Sequence, residues 1–283
     1  MDKSKRFSQH IVIVTGASSG IGRATAIAFA KQGACVVLAA RTQHKLEVIA
    51  DEIKQFNANV RVVPADLTSQ AQIDHLINTT LSAFGRIDIL INNAGIGATG
   101  GVEHTDFIAD VQRIFELSYL GKVACVRAVL PSMRLQRKGY IVNISSIAGR
   151  KALPMMGAYG SVQHAISAFS DSLRQELHSS GIRVLTVYLG LVQTPFFDTF
   201  RVAELPTSFY CMAPYPAEQV AEKIISAVYK RQTRVVMPWQ AGLLILADVF
   251  SEAWSDAVVK LLSNPLFTRL IGLYRGRGLR VPD

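Results

Sequence analysis

The sequence predicts an α/β fold, a doubly wound parallel sheet of about seven strands with helices on both faces, three layers in all. Apolar, β-branched runs of strand length alternate with amphipathic runs of helix length from residue 10 to about residue 238, the pattern of a parallel sheet joined by crossover helices. A glycine-rich turn, Thr15-Gly16-Ala17-Ser18-Ser19-Gly20-Ile21-Gly22, separates the first strand from the first helix. Residues 140–144 form an apolar run closed by Ser145 and Ser146, as expected of a strand buried on both faces. A chain of 283 residues with 49% hydrophobic content can bury one large core. The expected organisation is therefore a core over residues 1–238, with residues 239–283 as a C-terminal amphipathic extension of the same domain.

Residues 10–14 read as the first strand and 23–32 as the helix after the turn. Gly16, Gly20 and Gly22 let the backbone bend sharply and leave room for a pyrophosphate, with Ser18, Ser19 and Ile21 beside it. At a helix N-terminus, unpaired N–H groups and the helix dipole favour such an anion. The second strand, 34–40, ends at Arg41 and Thr42, where an NAD site would place a carboxylate for the ribose 2′-hydroxyl. A cation and a hydroxyl there suit a 2′-phosphate, which favours NADP(H). A helix (43–56), a strand (60–64) and a helix (69–84) follow, with Asp66 and Leu67 just past the strand and Asp66 also placed to cap the helix. The fourth strand, 87–91, runs into Asn92-Asn93-Ala94-Gly95, and residues 106–135 make two helices or one bent helix with Pro131 near the end.

Ser146 lies at the carboxyl end of the strand 140–144, the edge where open α/β sheets bind ligands. Tyr159 heads a helical stretch, 159–177, and a turn containing Pro154 and Gly157 folds it back toward Ser146. Two hydroxyls aimed at one point suit a carbonyl that must be polarised and protonated. The sixth strand is 182–188, followed by a helix at 216–230 and a last strand at 234–237. Residues 195–216, which carry Phe196, Phe197, Phe200, Phe209, Tyr210 and Met212, read as a substrate-facing lid. These rings either fit an apolar, lipid-like substrate or cover the sheet edge.

Between residues 11 and 238 the chain resembles the short-chain dehydrogenase/reductase family. The Gly-x-x-x-Gly-x-Gly turn, the Asn-Asn-Ala-Gly run and the Ser146–Tyr159 pair carry the likeness. It implies a Rossmann-type sheet, with Ser146 and Tyr159 catalytic and Asp66, with Leu67 beside it, at the adenine. It also puts Asn93, Ala94 and Gly95 on the cofactor floor, and Gly190, Val192 and Thr194 at the nicotinamide carboxamide. Three positions depart from the family pattern. Gln163 replaces the lysine that holds the nicotinamide ribose, Ser118 replaces the asparagine that anchors a relay water, and Leu189 replaces a proline. An ammonium about 5 Å from the tyrosine at an effective dielectric of about 20 is worth about 3 kcal/mol, or about two pKa units. Gln163 can hydrogen-bond a ribose but supplies no charge. The resemblance thus implies an NADP(H)-dependent oxidoreductase with reduced or modified activity. The alternatives are an impaired NADP(H)-binding sensor or scaffold and, third, non-redox serine/tyrosine chemistry on the same fold.

Lys and Arg number 30 against 21 Asp and Glu, a net charge of +9 spread along the chain. It suits phosphate cofactors or an anionic membrane surface; with no long basic run, nucleic acid is not an expected partner. Cys35, Cys125 and Cys211 have no metal-ligand spacing, so no metal is expected and reduced, buried thiols in a cytoplasmic protein are. Residues 1–10 lack the apolar core of a signal peptide, and the apolar run 235–247 is too short to span a bilayer. In the extension, Trp254, Val258, Leu261 and Leu262 recur at helical spacing, and Arg269, Arg275, Arg277 and Arg280 flank apolar residues. That pattern suits peripheral membrane contact, a dimer interface or packing on the lid. A homo-oligomer is what the family resemblance implies, and a small apolar carbonyl or alcohol is the expected substrate.

Overall fold

The computed structural model describes residues 5–57, 59–200 and 214–262. Cys211, most of the expected lid and the arginine-rich end of the extension lie outside the described residues. Its strands are β1 (Ile11–Thr15), β2 (Cys35–Ala40), β3 (Val60–Pro64), β4 (Ile89–Asn92), β5 (Gly139–Ser146), β6 (Ile182–Leu189), the short β7 (Val192–Gln193) and β8 (Tyr215–Pro216), and β9 (Arg234–Met237). Seven of them form a parallel sheet in the order β3-β2-β1-β4-β5-β6-β9, and β7 pairs with β8 beside it. Helices α1 (Gly20–Lys31), α2 (Gln43–Lys54), α3 (Gln70–Phe84), α4 (Phe107–Ile114), α5 (Gly121–Leu135), α6 (Gly157–Glu176), α7 (Ala217–Tyr229), α8 (Trp239–Phe250) and α9 (Glu252–Leu262) complete the described chain.

Alternation along the strands builds two cores. Val12 and Val14 of β1 and Val36 and Leu38 of β2 pack with α1, α2 and α7, whereas Ile13 and Val37 pack with α3, α5 and α6. Both faces are apolar because both are covered. The chain winds outward through β2 and β3, then returns to lay β4 on the other side of β1. The reversal opens a crevice at the carboxyl ends of β1 and β4.

Several polar groups inside this apolar frame are tied to one another, although the Asn92 Oδ1 has no partner among the described residues. Asp88, 3% exposed, accepts from the Ile11 N–H at 2.9 Å and from Arg86, joining the start of β1 to β4. Asn92 donates to the Lys122 carbonyl at 2.9 Å and to Asn143 Oδ1 at 3.2 Å, and Asn143 donates to Ser170 Oγ at 2.9 Å. One line of bonds thereby links β4 and β5 to α5 and α6.

Most element ends shift by one to three residues from the sequence expectation, and two differences bear on the site. β5 continues through both serines, because Ser145 and Ser146 keep the parallel register opposite Tyr188 and Leu189. The 106–135 segment is neither two separated helices nor a simple bend: α4 passes through a π-helical turn, Phe115–Leu120, directly into α5, and Pro131 lies inside α5. Of the described cysteines, Cys125 is buried and Cys35 half-buried, both unpaired.

The extension is anchored to the core. Lys151, five positions after Ser146, donates to Asp248 of α8 and to Asp256 of α9, each at 2.6 Å. Around this tie Trp239, Leu246, Trp254 and Leu261 are exposed. No helix among the described residues is long and apolar enough to cross a membrane. Removing a mostly buried cation from between two carboxylates leaves like charges facing each other. Lys151→Ala is therefore expected to speed amide hydrogen exchange in α8 and α9 by roughly tenfold or more while β1 and β4 keep their protection. Unchanged exchange in α8 and α9 would mean the ion pairs do not hold them.

Candidate active site

A cavity of about 350 Å3 lies at the carboxyl ends of the central strands. The glycine turn forms one wall, the ends of β2, β4, β5 and β6 form the floor, and the first turns of α6 with Pro195, Phe196 and Phe197 form the other wall.

The turn is shaped by close approach. Gly16 has φ +64°, and a Cβ there would lie 2.8 Å from Asn93 Nδ2. A Cβ on Gly22 would lie 2.1 Å from the Gly16 carbonyl oxygen. Asn93 locks the bend by donating to the carbonyls of Thr15 and Gly16, while Thr15 Oγ1 accepts from the N–H groups of Asn93 and Ala94. Ser19 is the N-cap of α1 but makes no side-chain cap bond, so the polarised N-terminus remains available to a ligand. Ser18, Ser19, Gly20 and Ile21 line the cavity there; Gly22 does not, being packed beneath the turn. These residues fit a dinucleotide phosphate. Arg41 and Thr42 line the cavity at the end of β2, and among the described residues Arg41 has no ion-pair partner.

Asp66 does not line the cavity, although Leu67 does. Its Oδ1 accepts from the N–H and hydroxyl of Thr68 at 3.0 and 2.9 Å, and Ser69 rather than Asp66 is the N-cap of α3. Ser118 is likewise outside. Its hydroxyl accepts from Ile96 N–H at 3.0 Å and donates to the Ile96 carbonyl at 3.3 Å, bracing the loop after β4. Asn93, Ala94 and Gly95 line the floor, and Gly190, Val192 and Thr194 line the far end.

Ser146, Tyr159 and Gln163 come together on one side of the cavity. Ser146 Oγ accepts from Ala148 N–H at 3.1 Å and donates to the Leu189 carbonyl at 3.2 Å. Burial pushes the Tyr159 phenol up to about 12, and its hydrogen bond with Ser146 opposes that shift. The rings of Phe196 and Phe200 stand 5.9 Å from the Tyr159 ring, so the tyrosine faces an aromatic wall. Gln163 Oε1 accepts from Ser145 Oγ at 3.1 Å.

Sequence reasoning missed Lys122. It is 4% exposed, lines the cavity and donates from Nζ to the Ile144 carbonyl. The available signal was only a lysine in an otherwise apolar stretch just after Gly121. Desolvation lowers its pKa to about 7.

A family model described as short chain dehydrogenase matches residues 10–204. An uncharacterized oxidoreductase of Mycobacterium tuberculosis is 35% identical over 253 residues, 88% of this chain and 72% of that protein. A fatty acyl-CoA reductase of Acinetobacter baylyi is 36% identical over 227 residues, 80% of this chain and 75% of its own. The crystal structure of a 3-ketoacyl-(acyl-carrier-protein) reductase from Brucella melitensis, complexed with NADH, superposes with a TM-score of 0.74 at 25% identity, covering 81% of this chain and 97% of that one.

The lowered pKa of Lys122 sets a pH dependence of stability. Below about pH 7 the side chain is charged in both folded and unfolded states, and the full cost of burying the charge is present. Between the folded pKa of about 7 and the unfolded value of 10.5 the unfolded chain binds more protons, so stability rises with pH across that window. Relative to Lys122→Met, the wild-type protein is expected to gain ~3 kcal/mol between about pH 7 and pH 9.5 in urea unfolding without added cofactor. Parallel stability profiles would show that Lys122 titrates normally.

Proposed function

Because the chain belongs to the short-chain dehydrogenase family, we propose that it interconverts a carbonyl and an alcohol on an apolar substrate with NADP(H), Tyr159 exchanging the proton and Ser146 holding the oxygen. The observation that carries this reading is the convergence of the glycine turn, Ser146 and Tyr159 on one cavity. The family fold binds nicotinamide cofactors, and the Brucella relative holds NADH; the choice of NADP(H) here rests on Arg41 and Thr42, a cation and a hydroxyl suited to a 2′-phosphate.

The nicotinamide, when bound, supplies or accepts the hydride. Ser146, already fixed by Ala148 N–H and the Leu189 carbonyl, offers its hydroxyl to the substrate oxygen at the cost of one existing bond. Tyr159 is protonated at neutral pH, and an alkoxide is a stronger base than a phenolate, so proton donation to the developing alkoxide runs downhill. Tyr159 is thus in the form that serves as the acid when a carbonyl is reduced. Phe196, Phe197 and Phe200 pack as one aromatic cluster against Tyr159 and present an apolar wall where the substrate would enter. The name of the Acinetobacter relative agrees with an acyl-chain substrate. Gln163 in the lysine position favours one further reading, a cofactor-binding sensor with little turnover.

Calorimetry with NADPH and NADH, followed by NADPH oxidation with long-chain aldehydes and ketones, separates these readings. The expected result is preference for NADPH that falls about tenfold in Arg41→Ala, and turnover that drops by about a hundredfold or more in Tyr159→Phe. Binding without turnover on any carbonyl would establish the sensor; binding of neither cofactor would exclude both.

The exposed Trp239, Leu246, Trp254 and Leu261 on α8 and α9, in a chain of net charge +9, support peripheral contact with an anionic lipid surface. Co-sedimentation with phosphatidylserine vesicles is expected and should fall several-fold in a Trp239→Ser, Trp254→Ser protein; recovery of the wild type in the supernatant would exclude it.

A further inference from the structure

Lys122 is a buried cation that the reaction as described does not use. Among the described residues no carboxylate stands within ion-pair distance of it, and none lines the cavity. Taking an ammonium out of water without a counter-charge costs several kcal/mol, and an apolar side chain of similar length would be tolerated better. Its main chain is held by Asn92, which donates to the Lys122 carbonyl, and its Nζ reaches the Ile144 carbonyl. Ile144 precedes Ser145, and Ser145 Oγ bonds Gln163 Oε1. The ammonium therefore ends one residue along β5 from the partner of Gln163, in the cavity that Tyr159 also lines. An ammonium carries three donors, and one N–H is committed to Ile144.

We propose that Lys122 is the ammonium of this active site, supplying from α5 the charge that a lysine at position 163 supplies elsewhere in the family. It holds the nicotinamide ribose hydroxyls and favours the Tyr159 phenolate, and Gln163 serves to fix Ser145. The assignment rests on the dehydrogenase reading. The other ionisable groups lining the cavity are Arg41, at the far end beyond the glycine turn, and Tyr159 itself. Because its pKa sits at about 7, Lys122 is partly neutral in the free protein and takes up a proton when an anionic cofactor enters.

The test compares wild type, Lys122→Met, Lys122→Gln, Gln163→Lys and the Lys122→Met, Gln163→Lys double variant. NADPH affinity and proton uptake are read by calorimetry at pH 8 in buffers of different ionisation heat. The Tyr159 phenol is titrated by absorbance difference against the matching Tyr159→Phe protein, and turnover is followed as a pH profile. Lys122→Met is expected to bind NADPH about tenfold more weakly, to take up no proton, and to raise the Tyr159 pKa in the complex by about one to two units. The second lysine in the double variant is expected to recover affinity and the Tyr159 titration. Lys122→Gln keeps a donor for Ile144 and gives the same losses if charge is what matters. Wild-type affinity, proton uptake and Tyr159 titration in a folded Lys122→Met or Lys122→Gln protein would overturn the assignment while leaving the dehydrogenase reading intact. The expected losses in a protein that reduces no carbonyl would support the placement of the charge and overturn the dehydrogenase reading instead. If the wild type binds neither dinucleotide, both fall.

Discussion

A line of side-chain amides through the middle of an apolar sheet holds the active site in register. Asn92 on β4 grips both Asn143 on β5 and the backbone of α5 at Lys122, and Asn143 grips Ser170 on α6. Buried polar groups of this kind are costly unless paired, so the arrangement tolerates little sliding of one element past another. The middle of β5, the start of α5 and the later turns of α6 are thereby tied to each other. Ser146, Lys122, Tyr159 and Gln163 ride on those three elements. The asparagine that opens the Asn-Asn-Ala-Gly run is thus a structural clamp, and the second, Asn93, does the corresponding work for the glycine turn.

Much of this was legible in the sequence because it depends on short-range pattern. Continuous apolar, β-branched runs mark strands covered on both faces, and glycines clustered between a strand and a helix mark the tight turn. What escaped depends on partners far along the chain. Lys122 looks like one more polar residue on a helix until its ammonium is seen at the Ile144 carbonyl. The π-helical turn at 115–120 leaves no compositional trace, and Ser118 within it bonds Ile96 and does not line the cavity. Asp66 turns one carboxylate oxygen, Oδ1, to the N–H and hydroxyl of Thr68, two residues on, a local contact that the sequence pattern did not single out.

The electrostatics of the cavity follow from the same placement. Its ionisable lining consists of Arg41 at one end and Lys122 and Tyr159 near the other, with the amino end of α1 between them. Every fixed charge there is positive or a positive dipole end. Such a cavity attracts an elongated polyanion and orients it by the spacing of its cations. Burial works against both ionised forms, lowering the lysine and raising the tyrosine, so the charge of each depends on what fills the cavity.

The double tie of Lys151 to Asp248 and Asp256 bears on where this protein can be cut. By length alone, a version ending at residue 238 would look like a tidy minimal unit. It would lack both carboxylates and leave the ammonium of the Lys151 side chain, which is now only 8% exposed, to find water or another partner. Lys151 follows the short 3-10 turn Ile147–Gly149 that leaves Ser146, and reorientation there would be felt at the Ser146 hydroxyl. Shortened versions are therefore better made together with a neutral residue at 151 than by deletion alone.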